Sequence, residues 1–248
     1  MDKNKWLTMF AAMLVCGSVS AAPLVDISLG VKQWESGSDS MFGEANDSLL
    51  SYTHSDESQY LLSAQLDHSI PLIPNARLTY QNLDFDSSYN LEQTFILAGT
   101  TFPVASNLVS NHELTIQDTT LYYEVLDVRL VTINLGVTGR YQEASVNIRE
   151  TMDNTRSSSS ADSYELLAHG RVNLDLPLFG FYGFAELNKG SDNELTMAGI
   201  GYEFDNTILP NIKIEFGVIE QKVSFDRDDG FIFEQAFDSS YLGLELVF

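Results

Sequence analysis

Cysteine is almost absent from this chain of 248 residues: Cys16 is the only one. It lies in a segment expected to be removed, so the mature protein is expected to have neither a disulfide nor thiol chemistry. Basic side chains are also scarce, 13 against 35 acidic ones, for a net charge of −22. Such a surface repels polyanions, which excludes nucleic acid as a partner. Long apolar runs are missing as well. The longest, Trp6 to Val15, is about half the ~20 residues that a membrane-crossing helix needs. If the mature chain spans a bilayer, only a closed β-barrel can satisfy its backbone there. Proline is rare too, and Pro71, Pro74, Pro177 and Pro210 all fall in short connections, where a residue that cannot donate to a strand ladder belongs.

The N-terminus has the features of a secretory leader. Lys3 and Lys5 precede the apolar stretch, and small residues from Gly17 to Ala22 follow it. Val19 and Ala21 suit the −3 and −1 positions, so residues 1–21 are expected to be a signal peptide and 22–248 a single barrel domain. Loss of Asp2, Lys3 and Lys5 would make the protein one unit more acidic still.

From there on the pattern has period two. Val25, Ile27, Leu29 and Val31 alternate with Asp26, Ser28, Gly30 and Lys32. Tyr60, Leu62, Ala64 and Leu66 alternate with Ser63, Gln65 and Asp67. Ala76, Leu78 and Tyr80 oppose Arg77, Thr79 and Gln81. Similar runs end at Val125, cover Val131–Val137, Tyr164–Leu174 and Ile212–Val218, and fill 180–188 and 194–204. With the terminal strand the total is ten, although Phe95-Ile-Leu-Ala and Leu108-Val inside 86–112 leave eight or twelve open. Short connections at 70–75, Asp127-Val128, 176–179 and 205–211 alternate with long polar ones at 35–57, 86–112 and 143–161. Short turns at one end and long loops at the other are the habit of outer-membrane barrels. An even strand count puts both termini on the periplasmic side.

Alternation does not say which face points inward. Three features favour apolar-out. The polar faces carry full charges of both signs, namely Arg77, Arg140, Glu165, Arg171, Lys213, Glu215 and Glu245. Several strands exceed the ~9–11 residues of a tilted bilayer crossing. Aromatic residues gather at strand ends, with Trp34, Tyr60, Tyr141, Tyr164 and Phe225 at the outer rim and Phe181, Phe204 and Phe248 at the inner one. Tyr80 and Tyr202 fall mid-strand and do not fit a rim.

The last strand points the same way. Leu242, Leu244, Leu246 and Phe248 share one face, and Tyr241, Gly243, Glu245 and Val247 the other. A terminal strand with one apolar face, closed by Phe, resembles the assembly strand of bacterial outer-membrane barrels. The mature chain as a whole resembles the small outer-membrane barrel proteins of gammaproteobacteria. Its Tyr122–Tyr141 hairpin, ending Gly-Arg-Tyr, is similar to the central hairpin of one uncharacterised family of that kind. The resemblance implies folding by the barrel-assembly machinery through the Phe248 strand. It brings no activity and no catalytic residues.

Chemistry is sparsely signalled. Glu165, His169 and Arg171 lie two and four residues apart on one strand face, where a lumenal charge network that fills a narrow barrel explains them better than proton handling. His68 falls in the apolar register and Asp67 beside it on the other face, so they form no dyad. His54 with Asp56 and Glu57, and His112 with Glu113, lie in expected outer loops and would serve a rim hydrolase only if a nucleophile joined them. Asp226-Arg-Asp-Asp-Gly230 resembles half a calcium loop with the wrong spacing. Carboxylates crowd the first loop, and beside anionic lipopolysaccharide these acidic loops would need bridging divalent cations. The expectation is an all-β, antiparallel up-and-down barrel in the outer membrane, non-enzymatic and without a cofactor. Its narrow polar lumen would pass small cations at most. The alternative is a membrane-embedded hydrolase or acyltransferase with its site at the extracellular rim.

Overall fold

The computed structural model describes residues 25–44, 49–53, 57–176, 179–204, 210–226 and 231–248. The expected signal peptide, His54, Asp56 and most of the Asp226–Gly230 segment lie outside them. Among the described residues the regular structure is all strand: β1 (Val25–Ser36), β2 (Asp39–Glu44), β3 (Leu50–Thr53), β4 (Glu57–His68), β5 (Asn75–Asn90), β6 (Phe95–Leu97), β7 (Thr100–Phe102), β8 (Asn107–Val128), β9 (Val131–Glu150), β10 (Arg156–Leu176), β11 (Phe181–Lys189), β12 (Glu194–Phe204), β13 (Asn211–Asp226) and β14 (Phe231–Val247).

The barrel has ten antiparallel strands. Sequential neighbours pair from β1 and β4 through β5 and β8 to β14, and β14 returns to β1, which closes the wall. β2 is the continuation of β1 in the same register, since Trp34 opposes Tyr241 and Asp39 opposes Ala236. β3 pairs with β2 at the far end. β6 and β7 form a separate hairpin, so Phe95–Leu97 adds nothing to the wall, whereas Leu108 and Val109 belong to β8. Four connections, the start of β1 at Val25 and the C-terminal Phe248 lie at one end, the turn end. The tightest connection is Arg129-Leu130, two residues later than the expected Asp127-Val128, because a bulge at Glu124/Leu126 advances one strand.

Two of the segments expected to be loops are largely strand. β8 has 22 residues and β9 has 20, and at ~3.4 Å per residue each runs on the order of 70 Å, about twice a hydrocarbon thickness. Much of 86–112 and 143–161 is therefore wall. It escaped the period-two reading because its polarity is reversed. Near the turn end Leu121, Tyr123, Leu135, Val137, Leu166, Val172, Phe216 and Leu242 point outward and are exposed, while the inward positions are polar. Past Tyr80, Tyr141 and Tyr164 the outward residues become Asn82, Asp84, Glu113, Glu143 and Asp162, and the inward ones Leu83, Phe85, Leu114, Ile116, Val146 and Ile148. The outward apolar band spans Val131 to Tyr141 on β9, which for a strand tilted ~40° is ~25 Å of height.

The aromatic rims follow this boundary. Tyr141 and Tyr164 lie across the β9–β10 ladder with ring centroids 4.8 Å apart. Tyr80 is the last apolar outward residue of β5, so it is a rim residue after all. Tyr202 also belongs to a rim, packed between Phe181 at 4.9 Å and Phe204 at 4.5 Å. Trp34 does not: it points inward, 2 % exposed, stacked on Phe237. The Phe225 side chain lies outside the described residues.

Candidate functional site

Inside the band the lumen holds a cross-braced set of charges. Glu186, carried inward by β11, accepts from both terminal nitrogens of Arg77 on β5, one of them at 2.9 Å. It also accepts from Arg171 on β10 at 3.0 Å and from Asn188 Nδ2 at 3.1 Å. Glu215 on β13 pairs with Lys32 on β1, accepts from the Tyr182 hydroxyl at 3.1 Å and lies 4.0 Å from Arg171. Two nearly buried carboxylates thus tie together strands on opposite sides of the lumen. The Arg171 guanidinium also lies 4.4 Å over the Phe184 ring. Because Asn188 Nδ2 donates to Glu186, its Oδ1 is left to accept from His169 Nδ1 at 2.9 Å and from Thr138 Oγ1 at 2.9 Å. This fixes His169 as the Nδ1–H tautomer, and a histidine bound this way is a structural member of the network.

Arg77, His169, Arg171 and Glu215 are therefore brought together as the alternation implied. The other three are not. Arg140 makes a separate two-point pair with Asp118, directly opposite on β8, both bonds being 2.8 Å. Lys213 pairs with Glu245 across the β13–β14 ladder at 3.4 Å near the turn end, where both are partly exposed. Glu165 leaves the His169 group altogether. Its carboxylate accepts from Ser191 N at 2.6 Å, Ser191 Oγ at 2.9 Å, Asp192 N at 3.2 Å and Asn193 Nδ2, and so caps the β11–β12 turn. Alternation fixes a side chain's face but not its height, and at that height open N–H groups outbid His169. Glu186, Lys32 and Asn188 complete the network, and Asp118 is the partner of the separate Arg140 pair. The inward series Tyr182, Phe184, Glu186, Asn188 carried the signal for two of them.

A cavity of about 280 Å³ runs among these groups. Tyr122 donates to Asp67 beside it, and Gln65 Nε2 donates to the same carboxylate at 2.6 Å. Beyond the band the lumen closes. The β6–β7 hairpin folds into the mouth and buries Phe95, Leu97 and Phe102 against Phe42, Leu83, Phe85 and Leu108. Phe42 meets Phe95 edge-on at 5.6 Å and His112 at 4.9 Å. The ring of His112 is inside this layer with Nε2 3.1 Å from Ser110 Oγ, which is 2.8 Å from Ser87 Oγ. Glu113 points outward, so His112 and Glu113 form no pair. A serine beside a histidine is half of a nucleophilic arrangement, but here both are enclosed by phenylalanines. His68 Nδ1 accepts from Ile70 N at 3.3 Å in the β4–β5 turn. Among the described residues no three His, Cys, Asp or Glu converge as metal ligands.

The terminal strand has the two faces its sequence implied. Leu242 and Leu244 are exposed in the outward band, Leu246 follows in the same register, and Tyr241 is buried inside. Phe248 closes the β1 edge through reciprocal backbone bonds with Ile27.

No protein-family model matches this sequence, and no curated protein matches it. Among solved structures it is similar to the outer membrane protease OmpT from Escherichia coli, with TM-score 0.47 and 7 % identity over 91 % of this chain and 97 % of that one. It is also similar to the translocator domain of the autotransporter NalP from Neisseria meningitidis, with TM-score 0.48 and 8 % identity over 98 % and 95 %. A third is the transport unit of the autotransporter AIDA-I from Escherichia coli, with TM-score 0.42 and 10 % identity over 97 % and 94 %. At such identities function has to be argued from this chain's own residues.

Proposed function

We propose that this protein is an integral outer-membrane β-barrel of the small gammaproteobacterial kind, non-enzymatic, with a plugged lumen and an outward-projecting wall that serves a structural or binding role. The observation that carries this reading is the reversal of polarity along single strands. An apolar exterior ~25 Å tall suits lipid, and a polar exterior over an apolar interior suits water on the outside. The short turns and both termini would then face the periplasm, and the long ends of β8–β10 the cell exterior. The lumen charges act as braces, since Glu186, Glu215 and Asp118 are each matched to a cation from another strand. The phenylalanine layer above them blocks ion flow, because an ion crossing it would lose its hydration without compensation. Among the described residues the serine–histidine pair open to a rim hydrolase is Ser110 with His112, and the seated hairpin encloses it.

The test is single-channel recording of the refolded protein in planar bilayers, with heat-modifiable migration on a gel as the check of folding. The expected result is a folded barrel that stays silent, both in the native sequence and with Arg140→Ala and Arg171→Ala. Stable, cation-selective openings that change with those substitutions would replace the plugged barrel by a narrow channel.

A further inference from the structure

Cations are few in this chain, and most of those in the described residues sit on a carboxylate: Lys32, Arg77, Arg140, Arg171, Lys189 and Lys213 are all in ion pairs. Arg149 and Arg156 break that habit. They lie directly opposite each other on the β9–β10 ladder, near its far end, both outward and both exposed. Like charges placed face to face cost stability, in a protein with carboxylates to spare. The carboxylates nearest in sequence are turned to the local turn instead. Glu150 accepts from Met152 N at 2.6 Å and Asp153 N at 2.8 Å. Asp153 accepts from Thr155 N at 2.8 Å, which holds its carboxyl below the usual range. Among the described residues Arg149 donates to the neutral Asn154 Oδ1, at 3.4 Å.

The surroundings are built in the same sense. The next outward row across β8, β9 and β10 is Asn111, Asn147 and Ser158, neutral groups able to donate. On β5 the same row ends in Asp86, which accepts from Asn111 Nδ2 at 3.0 Å, so Asn147 and Ser158 are the donors beside the arginines; the next carboxylate, Glu113, comes one row lower. The tip of the β6–β7 hairpin, through Ala98 and Thr100, walls this patch into a groove of about 620 Å³. Two facing guanidinium forks beside the Asn147 amide and the Ser158 hydroxyl match a tetrahedral oxyanion, which accepts two-point hydrogen bonds that a lone ammonium cannot supply. Arg149 lies eight residues beyond Tyr141, ~20 Å above the apolar band for a strand tilted ~40°. The level next to the band is acidic.

We propose that this groove binds a phosphate or sulfate ester carried on an extracellular sugar polymer, with Arg149 and Arg156 as its anion ligands. The proposal rests on the reading that β8–β10 project outside the cell.

The test is binding of fluorescent dextran sulfate, against neutral dextran of equal length, to the full-length protein in lipopolysaccharide-free nanodiscs at ~0.15 M salt, where charges beyond ~8 Å are screened. Inositol hexakisphosphate serves as the phosphorylated competitor. The expected result is saturable binding that the competitor displaces. Loss of two charge-assisted contacts in Arg149→Gln/Arg156→Gln should weaken it by about tenfold or more. The control Arg129→Gln/Lys222→Gln removes the same charge elsewhere and should change it less than about twofold. No binding by the native protein, or equal loss in both double variants, overturns the proposal. Nanodiscs with an outer leaflet of lipopolysaccharide separate the two sources. Unchanged affinity assigns the site to a free polymer, and competition of about tenfold assigns it to lipopolysaccharide phosphate. Heat-modifiable migration reports the barrel independently, so a failed groove and a failed barrel reading are told apart.

Discussion

Glu186 is the residue on which the lumen depends most. Its removal would leave Arg77 and Arg171 without their shared counter-charge, and breaking a buried pair of this kind costs about 3–5 kcal/mol. Glu186→Ala should therefore lower the urea midpoint of the folded barrel sharply. Lys213→Met, which removes half of a partly exposed pair, should change stability by less than about 1 kcal/mol. Gly217 is a second sensitive position. The Tyr241 ring lies across it from β14, and a Cβ there would come 2.4 Å from the Ala198 carbonyl oxygen and 2.8 Å from that ring. Gly217→Ala should cost about 1–3 kcal/mol by overpacking, read in the same titration. Residue by residue, alternation was enough to place Arg77, His169, Arg171 and Glu215 in one lumen. It could not place Glu165, because its destination was set by unsatisfied N–H groups of a turn twenty-six residues away in sequence.

At the scale of elements the β6–β7 hairpin decides whether the barrel is open. It forms a two-stranded sheet of its own beside the wall, seated by its apolar side chains, and the Ser157 hydroxyl donates to Leu97 O at 2.6 Å. Phe95→Ala would leave a cavity between Phe42 and Phe102, at a local cost of about 3–5 kcal/mol. The expected outcome is a barrel that still shifts on a gel but is cut by proteinase K within 91–106, where the native protein resists. The ends of the strands were the least legible part of the fold. A strand whose outward side is polar and inward side apolar has the same period as its reverse, and β8 switches between the two without a proline or glycine to mark it. The alternation expected of a lipid-facing strand averages out across such a switch, so the pattern predicts loop where the structure has wall. Trp34 differs from its expected rim position for the same reason, as an indole suits either a headgroup or an apolar interior.

For the whole molecule, the position of the bilayer is a measurable property of the outer face. Leu135→Arg, in the middle of the apolar band, should cost about 2–4 kcal/mol and reduce assembly. Asn147→Arg, on the same strand and the same face but above the band, should leave both unchanged. Equal effects at the two positions would remove the band from the membrane.

The reversal of polarity on β5, β8, β9 and β10 also bears on how the wall finds its height. In a barrel with one polarity throughout, sliding a strand by two residues keeps every side chain on its proper face, and only hydrogen-bond register resists it. Here the same slide would push a carboxylate into hydrocarbon, or lift a leucine into water, and misplace its inward neighbours as well. Each of these strands therefore carries its own waterline, and the four can come to rest at a common depth without a partner to align them.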